Sequence, residues 1–275
     1  MSITKRLEEA RKAYASGNTS QSANAHDPAT IQAAMKASYE QHASPSSQYI
    51  GSMVYGGLDG IITTFAVVSG VAGAALAPQV IIILGLANVF ADGFSMATGA
   101  YLSEKSENEY YQRERQREAW EVEHFPEGEK EELYQLYLNQ GYPEPDARQM
   151  VEIKSRDHKR WVDAMMLEEL NLMPSESNPM TSAWVTFGSF VIAGLLPMLV
   201  YLLDWLLPFS LDPQTAFYMS VGLSALALFG LGAAKVMVTG HNAFRSGMEM
   251  LMVGGLAASV AYVVGMLLKG IGLGA

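Results

Sequence analysis

The 275-residue chain is 49% hydrophobic and 17% charged, contains no cysteine and carries a formal net charge of −10. The lack of cysteine excludes disulfide bonds, thiolate zinc sites and a cysteine nucleophile. The acidic balance, without a basic stripe, argues against nucleic-acid binding. Charge is also unevenly distributed, because residues 104–180, here called the acidic insert, hold 29 of the 46 charged residues.

Residues 1–48 form a polar N-terminal tail, which we predict to be flexible. Two short helices are expected in it, over Leu7–Tyr14 and Ile31–Tyr39, between stretches rich in Ser, Asn, Gln and His. The first 45 residues contain no apolar segment of the kind found in signal peptides. The pattern assigns no chemistry to the tail.

Five mostly apolar stretches follow, each about as long as the 20 or so residues that a bilayer core requires. They are Tyr49–Leu76, Val80–Tyr101, Ala183–Leu207, Ala216–Val238 and Met248–Leu268. Their many small residues allow membrane helices to pack closely. We therefore predict an all-α fold: a five-span transmembrane helical bundle, with spans one and two in residues 49–103, the acidic insert between spans two and three, and spans three to five in residues 181–275.

The distribution of Lys and Arg predicts the orientation of these spans. With five spans, 17 of the 18 basic residues fall on one side of the membrane, and Lys269 falls on the other. Basic residues accumulate on the cytosolic side, so the tail and the acidic insert are expected there. The C-terminus is expected outside the cell or in a lumen. The host would be a bacterial inner membrane or the membrane of a vacuole-like organelle.

The acidic insert is predicted to contain three helices. The first, Leu102–Glu123, continues the second span into water until Phe125-Pro126-Glu127-Gly128 breaks it. The second covers Glu129–Asn139. A turn at residues 143–146 then begins the third, which runs to about Leu172 before Pro174.

Acidic residues recur at helical spacing within the insert. Glu107, Glu114, Glu118 and Glu121 share one face of the first helix, Glu129 and Glu132 are three residues apart on the second, and Met165, Met166 and Glu169 lie on the third. Like charges on one face destabilise a helix, and a bound cation would remove that penalty. Carboxylates with softer thioether ligands suit Fe(II) or Mn(II). Alternatively, the glutamates form a solvated face and the methionines a core.

One further pattern in the insert points to a different chemistry. Glu121-x-x-His124 matches the Glu-x-x-His motif of di-iron bundles, but those bundles need two copies and this chain has one. A ferroxidase centre is therefore not expected, and we do not expect an enzyme.

Carboxylates also occur inside the predicted spans. Asp59 lies near mid-bilayer in the first span, where a carboxylate costs about 2.5–3.5 kcal/mol and is by default functional. The alternative is a structural hydrogen bond between Asp59 and the backbone at its neighbouring glycines. Asp92 and Met96 are one turn apart in the second span, and Glu249 opens the fifth. Asp204, at the end of the third span, is expected to lie at the non-cytosolic boundary of the membrane in contact with water.

Three motifs resemble the vacuolar iron transporter family. They are Gly57-Leu58-Asp59-Gly60, the segment from Asp92-Gly93-Phe94-Ser95-Met96 to Tyr101-Leu102-Ser103, and Arg245-Ser246-Gly247-Met248-Glu249-Met250. Each motif alone is weak, but their order, together with five spans and the insert, is specific. The resemblance covers residues 50–270. It departs at Leu58, where many relatives have Asn, and at Ala100, where many have an acid.

The resemblance implies a homodimer that exports Fe(II), and often Mn(II), from the cytosol in exchange for protons. By position it implies Asp59 and Met96 as transmembrane metal ligands. It also implies a metal-binding domain in the insert, with the ligands Glu118, Glu121, Glu129, Glu132, Met165 and Glu169. Asp92, Met166 and Glu249 are possible additions. No permanent cofactor is expected, since the metal is the cargo. The rival hypothesis is a membrane-anchored metal sensor or buffer without transport.

Overall fold

The computed structural model describes residues 3–38, 49–175, 177–207, 210–239 and 242–271, and every regular element within them is helical. The tail contains α1 (Ile3–Ser16), α2 (Thr19–Ala25) and α3 (Pro28–Ser38). Asn18 caps α2 by accepting a hydrogen bond from the Gln21 amide. Helix therefore covers more of the tail than the two predicted segments. Residues 39–48, which include the predicted end of the second segment, lie outside the described residues.

The rest of the chain forms a second unit of longer helices. In chain order they are α4 (Ile50–Gly73), α5 (Pro78–His124), α6 (Pro126–Asn139), α7 (Glu144–Ser155), α8 (His158–Ala164), a π-helical turn (Met165–Glu169), α9 (Pro179–Gly194), α10 (Leu199–Leu206), α11 (Pro213–Thr239) and α12 (Ala243–Gly270).

Four of these helices are long and apolar enough to cross a membrane, namely α4, α5, α11 and α12. A fifth span results if α9 and α10, which meet at an angle of 66°, are counted as one broken span. The predicted continuous third span over Ala183–Leu207 is thus interrupted. The reason is Pro197, whose ring clashes with the preceding turn and which has no N–H to donate. The Ser220 hydroxyl on α11 donates to the Pro197 carbonyl oxygen, so the break does not leave that carbonyl unpaired.

Helix α4 lies inside the bundle because its glycines allow backbone contact with two neighbours. A Cβ at Gly60 would overlap the carbonyl oxygen of Phe190 on α9. Further along α4, a Cβ at Gly265 of α12 would overlap the carbonyl oxygen of Gly70. In a lipid bilayer the hydrophobic effect does not drive helices together, so close packing at small residues stabilises the association of helices instead. These contacts hold Asp59, the neighbour of Gly60, within the bundle.

The acidic insert is a small helical domain built on the end of α5. That helix is 47 residues long and continues from the apolar span into the insert without a break, as predicted. Its end packs with α6, α7, α8 and the π-helical turn around a core that includes Val122, Leu133, Tyr137, Trp161, Met165 and Met166.

The predicted third helix of the insert is in fact divided. Helix α7 ends at Ser155, and α8 begins at His158. The Asp157 carboxylate accepts a hydrogen bond from the Arg160 amide at 2.9 Å, so it acts as an N-cap and starts a new helix. Helix α8 then widens into the π-helical turn, a local irregularity that is frequent at functional sites.

Candidate metal-binding sites

Three carboxylates of the acidic insert converge where α5 and α6 meet. Glu118 and Glu121 lie one turn apart on α5, and Glu129 lies in the first turn of α6. Each offers one oxygen, and these oxygens all lie within 4.8 Å of one another. The break at Phe125 and Pro126 reverses the chain and brings Glu129 to the other two. We call these three residues the Glu triad.

Burial distinguishes the Glu triad from an ordinary solvated face. Glu118 is 1% exposed and Glu129 is 6% exposed. The Glu129 Oε2 atom is buried and has no hydrogen-bond partner in the described part of the chain. Removing a carboxylate from water without a partner is costly. The arrangement therefore provides a place for a cation, which the solvated-face alternative does not.

The electrostatics of the triad point the same way. Burial, together with the neighbouring carboxylates, raises the pKa of Glu129 to about 7. Burial also raises the pKa of Glu118 to about 7, although the Arg117 guanidinium opposes the shift. The pKa of Glu169 is raised as well, because the surrounding protein removes part of the water around its carboxylate and because the Glu132 carboxylate repels its charge, although the Glu169 side chain also reaches the surface. Glu118 and Glu129 therefore hold protons near neutral pH that a metal ion would displace.

The remaining predicted ligands of the insert lie around the triad. Glu132 and Glu169 are close enough to it to interact through their charges, but both are exposed and neither belongs to the group of three. Met165 and Met166 are buried in the hydrophobic core of the insert. They belong to the π-helical turn, which contacts both α5 and α6. Their packing fits the core alternative, and thioether ligation stays a prediction.

Arg117 is a partner of the triad that the sequence patterns did not identify. Its Nη2 lies 2.6 Å from Glu118 Oε1, and its Nη1 lies 2.5 Å from Glu121 Oε2. Its Nε donates to Glu114 Oε2 at 3.0 Å. Glu114 also accepts from Arg113, and the two guanidinium groups lower its pKa. An Arg four residues before Glu121 was the available signal, since such pairs interact on a helix.

Glu107 of the predicted acidic face and His124 of the Glu-x-x-His motif lie apart from the triad. Glu107 is exposed, and its carboxylate accepts a hydrogen bond from the Ser103 hydroxyl at 3.3 Å. The His124 ring stacks on Trp120, and its Nδ1 lies 2.8 Å from the Trp120 carbonyl oxygen. The described contacts of His124 are thus with Trp120 and not with the Glu triad.

A second group of polar residues lies in the membrane-spanning part of α4 and α5. Asp59 is half-buried, and its carboxylate makes no hydrogen bond or ion pair with any residue that the structure describes. The alternative of a structural hydrogen bond to its glycines is therefore not observed. The Asp92 carboxylate of α5 is near enough to repel it. Two acidic groups thus interact through their charges without a basic partner among the described residues.

The other candidate residues in the spans differ in their surroundings. Met96 is half-buried, one turn beyond Asp92. Asn88, one turn before Asp92, has a buried amide nitrogen without a partner among the described residues. Sequence reasoning missed it, although a polar residue within an apolar span was a usable signal. Glu249 on α12 is exposed. Asp204 accepts a hydrogen bond from the Leu211 amide at 2.9 Å, which suits a residue at the span boundary.

Helix α5 connects the two groups directly. Asn88, Asp92 and Met96 lie on its apolar part, and Glu118 and Glu121 lie on its polar end. Met96 and Glu118 are 22 residues apart on one continuous helix, which corresponds to about 33 Å. A single continuous helix thus contributes residues to both groups.

The chain is similar to known proteins over most of its length. The VIT family profile matches residues 50–266. A "Vacuolar iron transporter" of Toxoplasma gondii is 41% identical over 235 residues, covering 84% of this chain and 78% of that protein. A protein of the same name from Plasmodium berghei is 34% identical and covers 95% of this chain and 96% of its own length. "Vacuolar iron transporter 1" of rice is 33% identical over 82% of this chain and 90% of that protein. The chain belongs to the VIT family.

Proposed function

We propose that this protein transports Fe(II), and also Mn(II), out of the cytosol in exchange for protons. Metal-ion transport is supported by family membership and by the names of the relatives, which are vacuolar iron transporters. The choice of ion, the direction and the proton coupling are proposals. They rest on the chemistry of the two carboxylate sites.

The observation that carries the proposal is the buried, unpartnered oxygen of Glu129 beside Glu118 and Glu121. Carboxylate oxygens suit divalent ions such as Mn(II), and nearby thioethers would favour the softer Fe(II). The triad would capture the ion from water. Glu132 and Glu169 interact with Glu118 through their charges, and we propose that they, with Met165 and Met166, complete the coordination of the ion.

Asp59 and Met96 are proposed to hold the ion within the membrane, with Asp92 and Asn88 beside them. The spans of α4 and α5 contain no histidine. Aspartate is therefore the proton-exchanging group at this depth. A carboxylate that releases metal can accept a proton, since both compete for the same oxygens. This competition would couple metal export to proton return.

The setting of the protein is also part of the proposal. We place the acidic insert and the N-terminal tail in the cytosol, because nearly all basic residues fall on that side of a five-span topology. The membrane is that of a vacuole-like organelle, as the names of the relatives suggest. We further propose a homodimer, which follows from the resemblance to the family.

Metal uptake into proteoliposomes with an internal pH dye tests this function. Vesicles in which the insert faces outward should accumulate Fe(II) and Mn(II), and an acidic interior should speed entry. The interior should become alkaline as metal accumulates. If the insert binds metal but the vesicles take up no metal, the result would support the rival hypothesis of a metal sensor or buffer. If the rate of metal uptake does not change with a pH gradient of either sign, the proposed exchange of metal for protons is wrong.

A further inference from the structure

Arg117 pairs with two of the three carboxylates that form the Glu triad. A guanidinium presents its N–H groups as a planar fork, and here the two ends of that fork reach different carboxylates, Glu118 and Glu121. Charge-assisted hydrogen bonds of this kind are strong. An oxygen engaged by Arg117 is less available to a metal ion. The third member of the triad, Glu129, has no ion pair with Arg117 and keeps an unpartnered oxygen.

We propose that Arg117 is a tethered counter-ion, which holds Glu118 and Glu121 together in the metal-free protein and leaves them when a divalent ion enters. The inference rests on the proposed function, because it concerns the same carboxylates. Arg117 thereby lowers the affinity of the triad and sets the metal concentration at which capture begins. It also keeps the triad assembled between capture events.

The surroundings of Arg117 permit this displacement. Its side chain is 44% exposed, whereas that of Glu118 is 1% exposed, so the guanidinium can move into water. Glu114, one turn earlier on α5, already accepts a hydrogen bond from the Nε of Arg117 and is not a member of the triad. Arg117 can keep this partner after release. Displacement therefore does not leave a buried cation without compensation, which would be costly.

Arg113 offers a matched control on the same helix. It lies one turn before Arg117 and pairs with Glu114 at 2.8 Å, and its side chain is 71% exposed. Replacing either arginine by glutamine removes one positive charge from the same region. Only Arg117→Gln also removes the contacts to Glu118 and Glu121. The difference between the two variants therefore isolates the bridging contacts from the general effect of charge.

The test is calorimetric titration of Mn(II) into the detergent-solubilised full-length protein. Arg117→Gln should bind Mn(II) about tenfold more tightly than wild type, which corresponds to the loss of one or two charge-assisted hydrogen bonds. Arg113→Gln should change the affinity by less than about twofold, as expected for an exposed charge. Arg117→Lys keeps the charge but loses the fork and should lie between Arg117→Gln and wild type.

Each contrary outcome has a distinct meaning. Equal affinities for Arg117→Gln and Arg113→Gln would overturn the inference. Weaker binding by Arg117→Gln would overturn it as well, because Arg117 would then orient the ligands. Wild-type affinity in Arg117→Lys would show that bridging is irrelevant. Two results would contradict both the proposed capture site and this inference. One is that the wild-type protein does not bind Mn(II). The other is that Mn(II) affinity is unchanged when four glutamates are replaced by Gln, namely Glu118, Glu121, Glu129 and Glu132.

Thermal unfolding keeps the inference testable if a variant is unstable without metal. Arg117→Gln should have a lower unfolding temperature than Arg113→Gln in the absence of metal, because its carboxylates repel one another. Saturating Mn(II) should raise its unfolding temperature by a larger amount than that of Arg113→Gln. Equal metal-induced increases in the two variants would overturn the inference.

Discussion

The two carboxylate sites on α5 compensate negative charge in different ways. In the acidic insert, Arg117 pairs with two members of the Glu triad and remains in contact with water. In the membrane-spanning part, α4 contains no Lys or Arg, and α5 contains none before Lys105. Asp59 and Asp92 interact there through their charges, without a cation from the described part of the chain. We therefore propose that the insert is stable without bound metal, whereas the intramembrane pair needs protons or metal ions to compensate its charge.

This difference suggests a division of roles. A site with its own counter-ion remains charge-compensated while no metal ion is bound. The counter-ion then competes with a bound metal ion for the carboxylates, which favours release of the metal. A pair of acidic groups without a counter-ion in a low-dielectric bundle changes its occupancy only by exchanging one cation for another. Capture then belongs to the insert and translocation to the spans. The variants below test this division, beginning with the largest expected effect.

Asp59→Asn should have the largest effect on transport. The amide keeps the shape of the side chain but loses both the charge and the proton site. Uptake of Fe(II) into proteoliposomes should fall by about a hundredfold or more, while Mn(II) binding to the triad is retained. The control is Asp204→Asn, which makes the same chemical change at a boundary residue and should leave uptake near wild type. Wild-type uptake by Asp59→Asn would make Asp59 structural.

Replacing the four glutamates of the capture site should affect binding more than transport. Affinity for Mn(II), measured by calorimetry, should fall about a hundredfold, because charged oxygen ligands are lost. Uptake at saturating metal should fall by less, since the pathway is intact. The substituted residues are Glu118, Glu121, Glu129 and Glu132. The charge-matched control replaces Glu109, Glu123, Glu127 and Glu131, which are exposed, by Gln. A similar loss of affinity in both variants would contradict the prediction.

The raised pKa values predict how stability depends on pH. Glu118 and Glu129 have pKa values near 7 in the folded protein and 4.5 as the reference value. The folded state therefore binds more protons between these values, and metal-free stability falls as pH rises through this window. The loss of stability caused by burying these two ionised carboxylates is complete above their pKa values in the folded protein. Bound metal would remove that loss. Saturating Mn(II) should raise the unfolding temperature more at about pH 8 than at about pH 5.5.

A glutamine variant provides the control for this pH dependence. Glu129→Gln should reduce the difference between the two pH values, because the amide does not titrate. Glu127→Gln, on the same helix but exposed and paired with Lys130, should leave the difference unchanged. A metal-induced increase that is the same at both pH values in wild type would contradict the assignment of these groups as ligands.

Met96→Ala should have the smallest effect of the series. Only a thioether is lost, and the carboxylates that exchange protons remain. Fe(II) uptake at low metal concentration should fall by about threefold, with a smaller loss for the harder Mn(II). The response to an internal acid load should persist. Loss of that response would show that Met96 has a wider role in the pathway than that of a soft ligand.

Hydropathy and charge spacing predicted much of this architecture. Apolar stretches marked the spans, and the polar continuation of the second span into the insert follows from an uninterrupted helical sequence without Gly or Pro from Leu102 to Glu123. Helical periodicity placed Glu118 and Glu121 on one face. Local capping was less visible: Asp157 starts a separate helix, and Pro197 divides the third span. Both are short-range effects that periodicity averages out.

The amino-acid sequence by itself determined the membrane class, the acidic insert and the candidate carboxylates, because hydrophobicity and spacing are local properties of the chain. Only the tertiary structure decided which glutamates meet, since Glu129 reaches Glu118 through the chain reversal at Phe125 and Pro126. It also decided that Glu118 and Glu129 are buried while Glu132 and Glu169 are exposed. The part played by Arg117 depends on the direction of its side chain, which spacing alone leaves open.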